Sequence, residues 1–220
     1  SGTILRSTGN ITISAKSTDS LMQFAVTLSV SGSTAVGVGA NAQVFLNSVQ
    51  SQLHGIAAAK GSVSVLSESD ALLINLAVTA GVSGSVAVSP VGVVTYFKGT
   101  TDTLIGDAAS ISAGGTAIVK AITNENISAD ALGVAAPGSV SVAGTVVIVI
   151  GQLKTTAIVR RGAIISAASA AILASDSVKE VNIAASLSGS GTAAVAVTAL
   201  VTVLHNTVTA SAGETDTANQ

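Results

Sequence analysis

The chain has no cysteine and no tryptophan, and its aromatic residues are three Phe and one Tyr among 220 residues. Without cysteine there are no disulfides, no thiolate metal sites and no cysteine nucleophiles. Phe24, Phe45, Tyr96 and Phe97 are too few to line a sugar-binding groove, and we interpret them as capping the core at a wide corner. The apolar residues are mainly Ala, Val, Ile and Leu, which predicts a narrow core of small side chains.

Charge is also sparse, with nine Lys and Arg against eleven Asp and Glu. Phosphate binding needs clustered basic residues, and none are present, so we predict no nucleic-acid partner. Two uncharged segments, 71–97 and 131–153, are long enough to cross a membrane as helices. Gly, Ser, Thr and Pro recur within them and β-branched residues predominate, which favours strands. We therefore predict that the chain is not membrane-spanning.

A repeat of about 53 residues organises the sequence. Four units begin at Gly9, Gly61, Gly114 and Ser169, and their starts are 52, 53 and 55 residues apart. We interpret residues 1–220 as a single repeat domain that is a fragment of a longer chain. Its repeats are 9–60, 61–113, 114–168 and 169–220, and residues 1–8 are the tail of a preceding repeat.

Each unit carries three parts in the same order. A short alternating strand ends in a polar, charged turn, as in ITISAKSTD; a longer block of small residues follows, with a Gly/Ser break near its middle; an edge and return complete the unit. Period-2 alternation predicts that Ile11, Ile13, Val63 and Val65 point inward. In the longer block of unit one, the alternation favours the same inward orientation for one set of valines and leucine: Val26, Leu28, Val30, Val36 and Val38.

This pattern predicts an all-β fold, a right-handed parallel β-solenoid (β-helix) of about four repeats. If each unit forms two or three coils with strands about 4.8 Å apart, the rod is roughly 40 to 60 Å long. The alternative makes each Gly/Ser break a tight turn, which gives antiparallel hairpins within each repeat.

The carboxylates follow the first strand of each unit. They are Asp19, Glu68, Asp70, Glu125, Asp176 and Glu180. We expect them to line one edge of the rod with Lys16, Lys120 and Lys179, as a solvated edge that discourages aggregation. A calcium site or a glycosidase pair is the alternative, although the Gly-Gly-x-Gly-x-Asp rhythm of calcium-binding repeats is missing.

Other candidate groups are isolated. His54 and His205 occupy different positions in their units, and Arg160-Arg161, the single adjacent basic pair, is interpreted as an exposed turn rather than a glycan contact. No HExxH, GxSxG or phosphate-binding glycine motif occurs. We predict no enzyme activity, no catalytic, cofactor-binding or metal-binding residue, and no cofactor. A polysaccharide-active β-helix enzyme is the less favoured alternative.

The pattern GNITISAKSTD, then AVTAGVSGSVAVSPVGVV, then TTDTLIGDAASISA resembles the repetitive passenger region of large filamentous haemagglutinin-like and leukotoxin-like adhesins of Gram-negative bacteria. The resemblance implies a parallel β-helical stalk that is secreted through a two-partner or autotransporter route. It also implies that the stalk extends a binding tip or binds weakly along its length. It assigns no ligand residues.

The expected function is a structural and adhesive segment of a bacterial cell-surface or secreted fibre, which supplies reach, rigidity and multivalent display. The expected location is extracellular, either anchored to the outer membrane or secreted. Expected partners are neighbouring repeats of the same chain and surface glycans or proteins of host or neighbouring cells. A self-polymerising extracellular fibre subunit that associates end to end is the alternative.

Overall fold

The computed structural model describes residues 3–214, and every regular element in this part is a β-strand. The strands are β1 (Ile4–Ser7), β2 (Ile11–Ser31), β3 (Thr34–Val36), β4 (Gly39–Leu53), β5 (Ile56–Ala59), β6 (Val63–Ser83), β7 (Val86–Ile105), β8 (Ser110–Ala113), β9 (Thr116–Pro137), β10 (Val140–Arg160), β11 (Ile164–Ser166), β12 (Ser169–Ser188) and β13 (Ala193–Glu214).

The strands form three sheets. Sheet A contains the short strands β1, β5, β8 and β11; sheet B contains β2, β6, β9 and β12; sheet C contains β3 and β4 together, then β7, β10 and β13. Every pairing between described strands is parallel. The predicted parallel β-solenoid is therefore confirmed, and the antiparallel-hairpin alternative is wrong.

Each repeat makes one coil. The ladder of sheet B pairs Ile11 with Val63, Val63 with Ala117 and Ala117 with Ala170, so one turn of the solenoid takes 52 to 54 residues. The expectation of two or three coils per unit is wrong, because strands of 20 to 22 residues use up the whole repeat. Four stacked strands at about 4.8 Å give a stack roughly 20 Å tall, much shorter than the predicted rod.

The first long strand of each coil continues through the predicted polar turn. In the first coil, β2 passes Asp19 and Ser20 without a break, and its side chains alternate between the two faces to its end. Charged side chains in the middle of the strand do not end it, because outward ones bond across the ladder: the Lys16 Nζ lies 2.9 Å from the Glu68 Oε1. The predicted turn after Asp19 is therefore wrong.

The Gly/Ser breaks form the tip of each coil, where the chain passes from sheet B to sheet C. The Gly84 N–H donates to Ser31 O at 3.2 Å, and the Gly138 N–H donates to Ser83 O at 3.1 Å. A Cβ on Gly84 would overlap the carbonyl oxygen of Gly32, and one on Gly138 would overlap that of Gly84. The coils approach so closely at the tip that these positions require glycine.

Sheets B and C face each other as the two layers of a flat arch. Hydrogen bonds cross the space between them within the second coil: the Asn75 Nδ2 donates to Val94 O at 3.0 Å and the Ser67 Oγ donates to Asp102 O at 2.7 Å. Sheet A closes the open side of the arch opposite the tip, because Ala57 and Ile111 pack in one cluster with residues from both large sheets.

Two large apolar clusters lie in the interior, and a small third cluster near the tip contains Ala87, Ala135 and Ala143. The cluster beside sheet A contains Val63 and Val65, with Ile11 and Ile13 packed against it, which confirms the predicted inward orientation of these four residues. The second cluster lies nearer the tip and contains residues from both large sheets: Leu73, Ala77, Val91, Val93, Phe97, Ile127, Ala129, Ala131, Val147, Val149 and Leu153.

The inward orientation predicted for the second block of unit one is wrong. Val26 is 75% exposed, and the other members of that set, Leu28, Val30, Val36 and Val38, also point outward. A strand that runs unbroken from Ile11 keeps the odd-numbered residues inside. The inward side chains of this segment are therefore Ala25, Thr27 and Ser29. The prediction assigns the two faces the wrong way round because it assumes a turn after Asp19.

Candidate functional site

The six carboxylates predicted to share one edge are divided between the outer surface and the interior. Glu68 and Asp70 point outward from sheet B. The other four, Asp19, Glu125, Asp176 and Glu180, lie on the inward face of sheet B. Asp19, Glu125 and Asp176 lie in a polar band between the two large apolar clusters, whereas Glu180 lies in line with Ile127 and Leu73 of the second cluster. The prediction of one solvated edge is wrong, because the strand continues through these positions and its alternation sends neighbouring residues to opposite faces.

Glu125 is the most deeply buried of these acids. It is 1% exposed, and neither of its carboxyl oxygens has a hydrogen-bond partner among the described residues. Burial, with smaller contributions from the carboxylates of Asp176, Asp19 and Asp70, raises the pKa of Glu125 to about 8. The side chain is therefore mostly protonated, and uncharged, at neutral pH.

Asp176 lies in the same polar band in the fourth coil. Burial raises the pKa of its carboxyl group, and neither of its carboxyl oxygens has a hydrogen-bond partner among the described residues. Threonines from three strands complete the band: the Thr123 Oγ1 lies 2.8 Å from the Thr101 Oγ1 and 2.7 Å from the Thr155 Oγ1. The hydroxyl groups of these threonines thus hydrogen-bond to one another in the space next to the buried acids.

The outward carboxylates are engaged in an ion cluster. The Lys16 Nζ lies 2.9 Å from the Glu68 Oε1 and 3.1 Å from the Asp70 Oδ2. The Asn124 Nδ2 donates to the Asp70 Oδ1 at 2.8 Å, and this bond, followed by the contact with Lys16, lowers the pKa of Asp70. Because these ammonium, carboxylate and amide groups bind one another, they link neighbouring coils.

A polar groove crosses the outer face of sheet C. The ladder places Lys98 beside Gln152 and His205, and places Lys154 beside Thr100 and Thr207. These six residues line an open groove of about 340 Å³, which continues past Ser48 into the first coil. Among the described residues neither Lys98 nor Lys154 forms an ion pair, so their ammonium groups are free to meet an anionic partner.

The sequence did not single out this groove, because its residues come from three repeats and are brought together by the ladder. Of its members, only His205 is among the candidate residues that the sequence offers. His54 lies elsewhere, between β4 and β5, where its Nε2 is 3.1 Å from the Gln52 Oε1. The two histidines therefore form no common site. Arg160 ends β10, and Arg161 follows it in an exposed turn.

The aromatic side chains do not cap a corner as predicted. Phe97 is fully buried between sheets B and C, and Phe45 packs beside it in the preceding coil. Tyr96 points outward from the same strand, and Phe24 is exposed on the outer face of sheet B. No pair of exposed aromatic rings therefore forms a sugar-stacking platform in residues 3–214.

Toward the tip, the distribution of polar and apolar side chains is the reverse of the usual one. The interior there contains buried polar residues: Gln43, Asn75, Thr79, Ser83, Ser89, Thr95, Ser141 and Thr145. The outward side chains of both large sheets are almost entirely apolar. We define the apolar face of sheet C as the outward side chains of residues 36–44, 86–96, 140–150 and 193–203. The corresponding apolar face of sheet B comprises those of residues 22–30, 72–82, 132–136 and 181–187.

Within residues 3–214 there is no group of three or more His, Cys, Asp or Glu side chains that can hold a metal ion. The described part of the chain also contains no helix of the length and hydropathy needed to cross a membrane.

No protein-family model, curated protein or solved structure matches the chain.

Proposed function

We propose that the chain is a structural and adhesive segment of a bacterial cell-surface or secreted fibre, of the filamentous haemagglutinin-like kind that its repeats resemble. The polar groove carries this proposal, because it presents Lys98, Lys154 and His205 side by side from three successive coils. Stacked coils present equivalent positions at regular spacing, which suits weak, multivalent contacts.

The charge of the groove favours an acidic partner. Two ammonium groups lie among hydroxyl and amide groups that can donate and accept hydrogen bonds. Asp102, the nearest outward acid along β7, accepts a hydrogen bond from the Thr156 hydroxyl. We therefore propose that the groove contacts anionic glycans, such as those with carboxylate or sulfate groups, on host or neighbouring cells.

Binding of the purified 220-residue chain to acidic and neutral glycans tests this proposal. The double variant Lys98→Ala/Lys154→Ala should lose binding to acidic glycans, and binding should weaken with added salt. Lys179→Ala is the matched control, since it removes an outward lysine from sheet B. Equal binding by the double variant and the control would contradict the groove as the contact surface. Binding to none of the acidic or neutral glycans would contradict adhesion to glycans.

A self-polymerising fibre subunit is the second candidate, because successive coils are joined by continuous parallel ladders, a type of pairing that further coils of the same chain can extend. Electron microscopy over a concentration series separates the two functions: particles of constant length favour the adhesive segment, and filaments that lengthen with concentration favour self-assembly.

A polysaccharide-active enzyme finds less support. Glu68 and Asp70 are held by Lys16, and Glu125 and Asp176 face the interior, where a polymer has no access. We assign no catalytic residue.

A further inference from the structure

The apolar face of sheet C is large, flat and uncharged. Its central side chains remain accessible: Val94 is 41% exposed and Val146 43%. The face extends 11 residues along β7, about 36 Å, and four coils across, about 19 Å, which gives an area of roughly 700 Å². The largest apolar patch on a typical monomer is about 300–600 Å². A surface of this kind is expected to be covered.

Sheet C is better suited to a dry contact than sheet B. On the outer face of sheet B, Asp130 lies in line with Leu76 and Ile183. It accepts hydrogen bonds from the Ser128 hydroxyl and the Ile183 N–H, but covering this face would still remove its carboxylate from water. The apolar face of sheet C contains no charged residue in any of its four coils.

A second copy of the chain fits both the area and the shape. Two copies that meet through this face bury about 1,400 Å² together, within the 1,200–2,000 Å² of a standard stable interface. The face also has a groove of about 340 Å³ where Gly92 and Gly144 point outward, and a Cβ at either glycine would meet no atom within 4 Å. Beside it Val94, Ile148 and Val201 stand in one row. Such a row is suited to fill the groove of a facing copy.

We propose that two copies of this chain pair face to face through the apolar face of sheet C, with the apolar outer side chains of residues 86–96 and 140–150 at the centre of the contact. This lateral pairing is separate from end-to-end stacking of coils, and it does not depend on glycan binding.

Sedimentation velocity of the 220-residue chain tests the pairing. The wild type should change with concentration from 21.2 kDa to twice that mass. Val146→Lys and Val94→Lys should each raise the dissociation constant by at least about 100-fold, because each places a charge in the centre of an apolar contact. Val78→Lys, on the outer face of sheet B, is the matched control and should leave the dissociation constant unchanged. Far-ultraviolet circular dichroism checks that each variant is folded.

A second measurement avoids the added charge. Since the chain has no cysteine, Ile148→Cys provides a single site for a spin label. Pulsed electron resonance should give a label-to-label distance below about 40 Å, the width of the face.

Three results would overturn the pairing. The first is a wild type that stays monomeric in water and binds vesicles of neutral phospholipid, which would assign the face to lipid. The second is a dimer that Val78→Lys dissociates and Val146→Lys does not. The third is a dimer that is insensitive to all three lysine substitutions but is abolished by Val201→Pro, which would place the contact at the strand edge of β13.

Discussion

The ring of Phe97 lies directly over the α-carbon of Gly151 in the next coil, in the space that a side chain at residue 151 would occupy. The same column holds Phe45 in the first coil and Leu204 in the fourth. The Phe97 side chain of the second coil thus fills the width of the arch in its own coil and in the third coil. Gly151 of the third coil leaves the space for it.

Gly151→Ala should therefore destabilise the fold. A methyl group at residue 151 overlaps the buried Phe97 ring, and overpacking of this kind costs about 1–3 kcal/mol. Chemical denaturation measures the loss. Gly144→Ala is the control, because its Cβ enters open space. The double variant Phe97→Leu/Gly151→Ala should recover part of the stability, and no recovery would contradict the proposed overlap.

A charge at an inward position should unfold the coil locally. Val65 and Val147 are each 0% exposed, and neither Val65→Asp nor Val147→Asp would find a partner in its apolar cluster. We expect a loss of at least about 3 kcal/mol for each, measured by thermal melting. Ser64→Asp, on the outer face of the same strand as Val65, should melt near the wild type. Unchanged melting of the two inward variants would show that the assignment of faces is wrong.

Stability should fall as the pH rises through neutrality. In the unfolded chain Glu125 ionises near its ordinary pKa of 4.5, whereas in the folded chain its pKa is about 8. The folded state therefore keeps a proton that the unfolded state has lost. The free energy of unfolding should be highest near pH 4.5, decrease toward pH 8 by at most about 5 kcal/mol, and then level off.

Asp176, whose pKa is also raised, acts in the same direction. Asp70 acts oppositely, because its lowered pKa costs stability as the pH falls below about 3.8. Urea denaturation from pH 4.5 to 9 measures the trend. Glu125→Gln should flatten most of it and raise stability at pH 8, while Glu68→Gln, on the outer face, should leave it in place. A wild type equally stable at pH 5 and pH 8 would show that Glu125 is ionised when folded.

Removing the hydroxyl at the centre of the polar band should also destabilise the chain. Thr123→Val leaves the hydroxyls of Thr101 and Thr155 without their shared partner, at a cost of about 1–3 kcal/mol. Thr123→Ser should restore most of the stability because it keeps the hydroxyl. Equal stability of the Val and Ser variants would indicate that the hydrogen bonds contribute nothing measurable.

The sequence predicted the fold and the faces of the first few residues in each repeat. Ile11, Ile13, Val63 and Val65 alternate with Ser and Thr, and this contrast tells the inside from the outside. Beyond Asp19 the contrast disappears, because both faces of the strand are uncharged. Strands of about 20 residues are far longer than the usual five or six, so the sequence predicts a turn at the charged residues. That turn is absent from the structure, and the faces predicted beyond it are therefore exchanged.

The candidate sites could be located only from the register of the strands in the ladder. Lys98, Lys154 and His205 lie in three different repeats, and their proximity depends on pairing Lys98 with Gln152 and Gln152 with His205. The sequence does not predict the burial of Glu125 either, because a carboxylate is ordinarily expected at the surface. Its inward position follows only from an unbroken strand that begins at Thr116.

The proportions of one coil govern how a longer stack of such coils would deform. Strands of 20 to 22 residues make the coil about 70 Å wide, whereas the two facing sheets are only about 10 Å apart. Resistance to bending rises with the cube of the dimension in the plane of the bend. Such a stack behaves as a ribbon: it curves readily through its thin direction and resists curvature across its width. It can therefore follow a rounded surface while its broad face stays parallel to that surface.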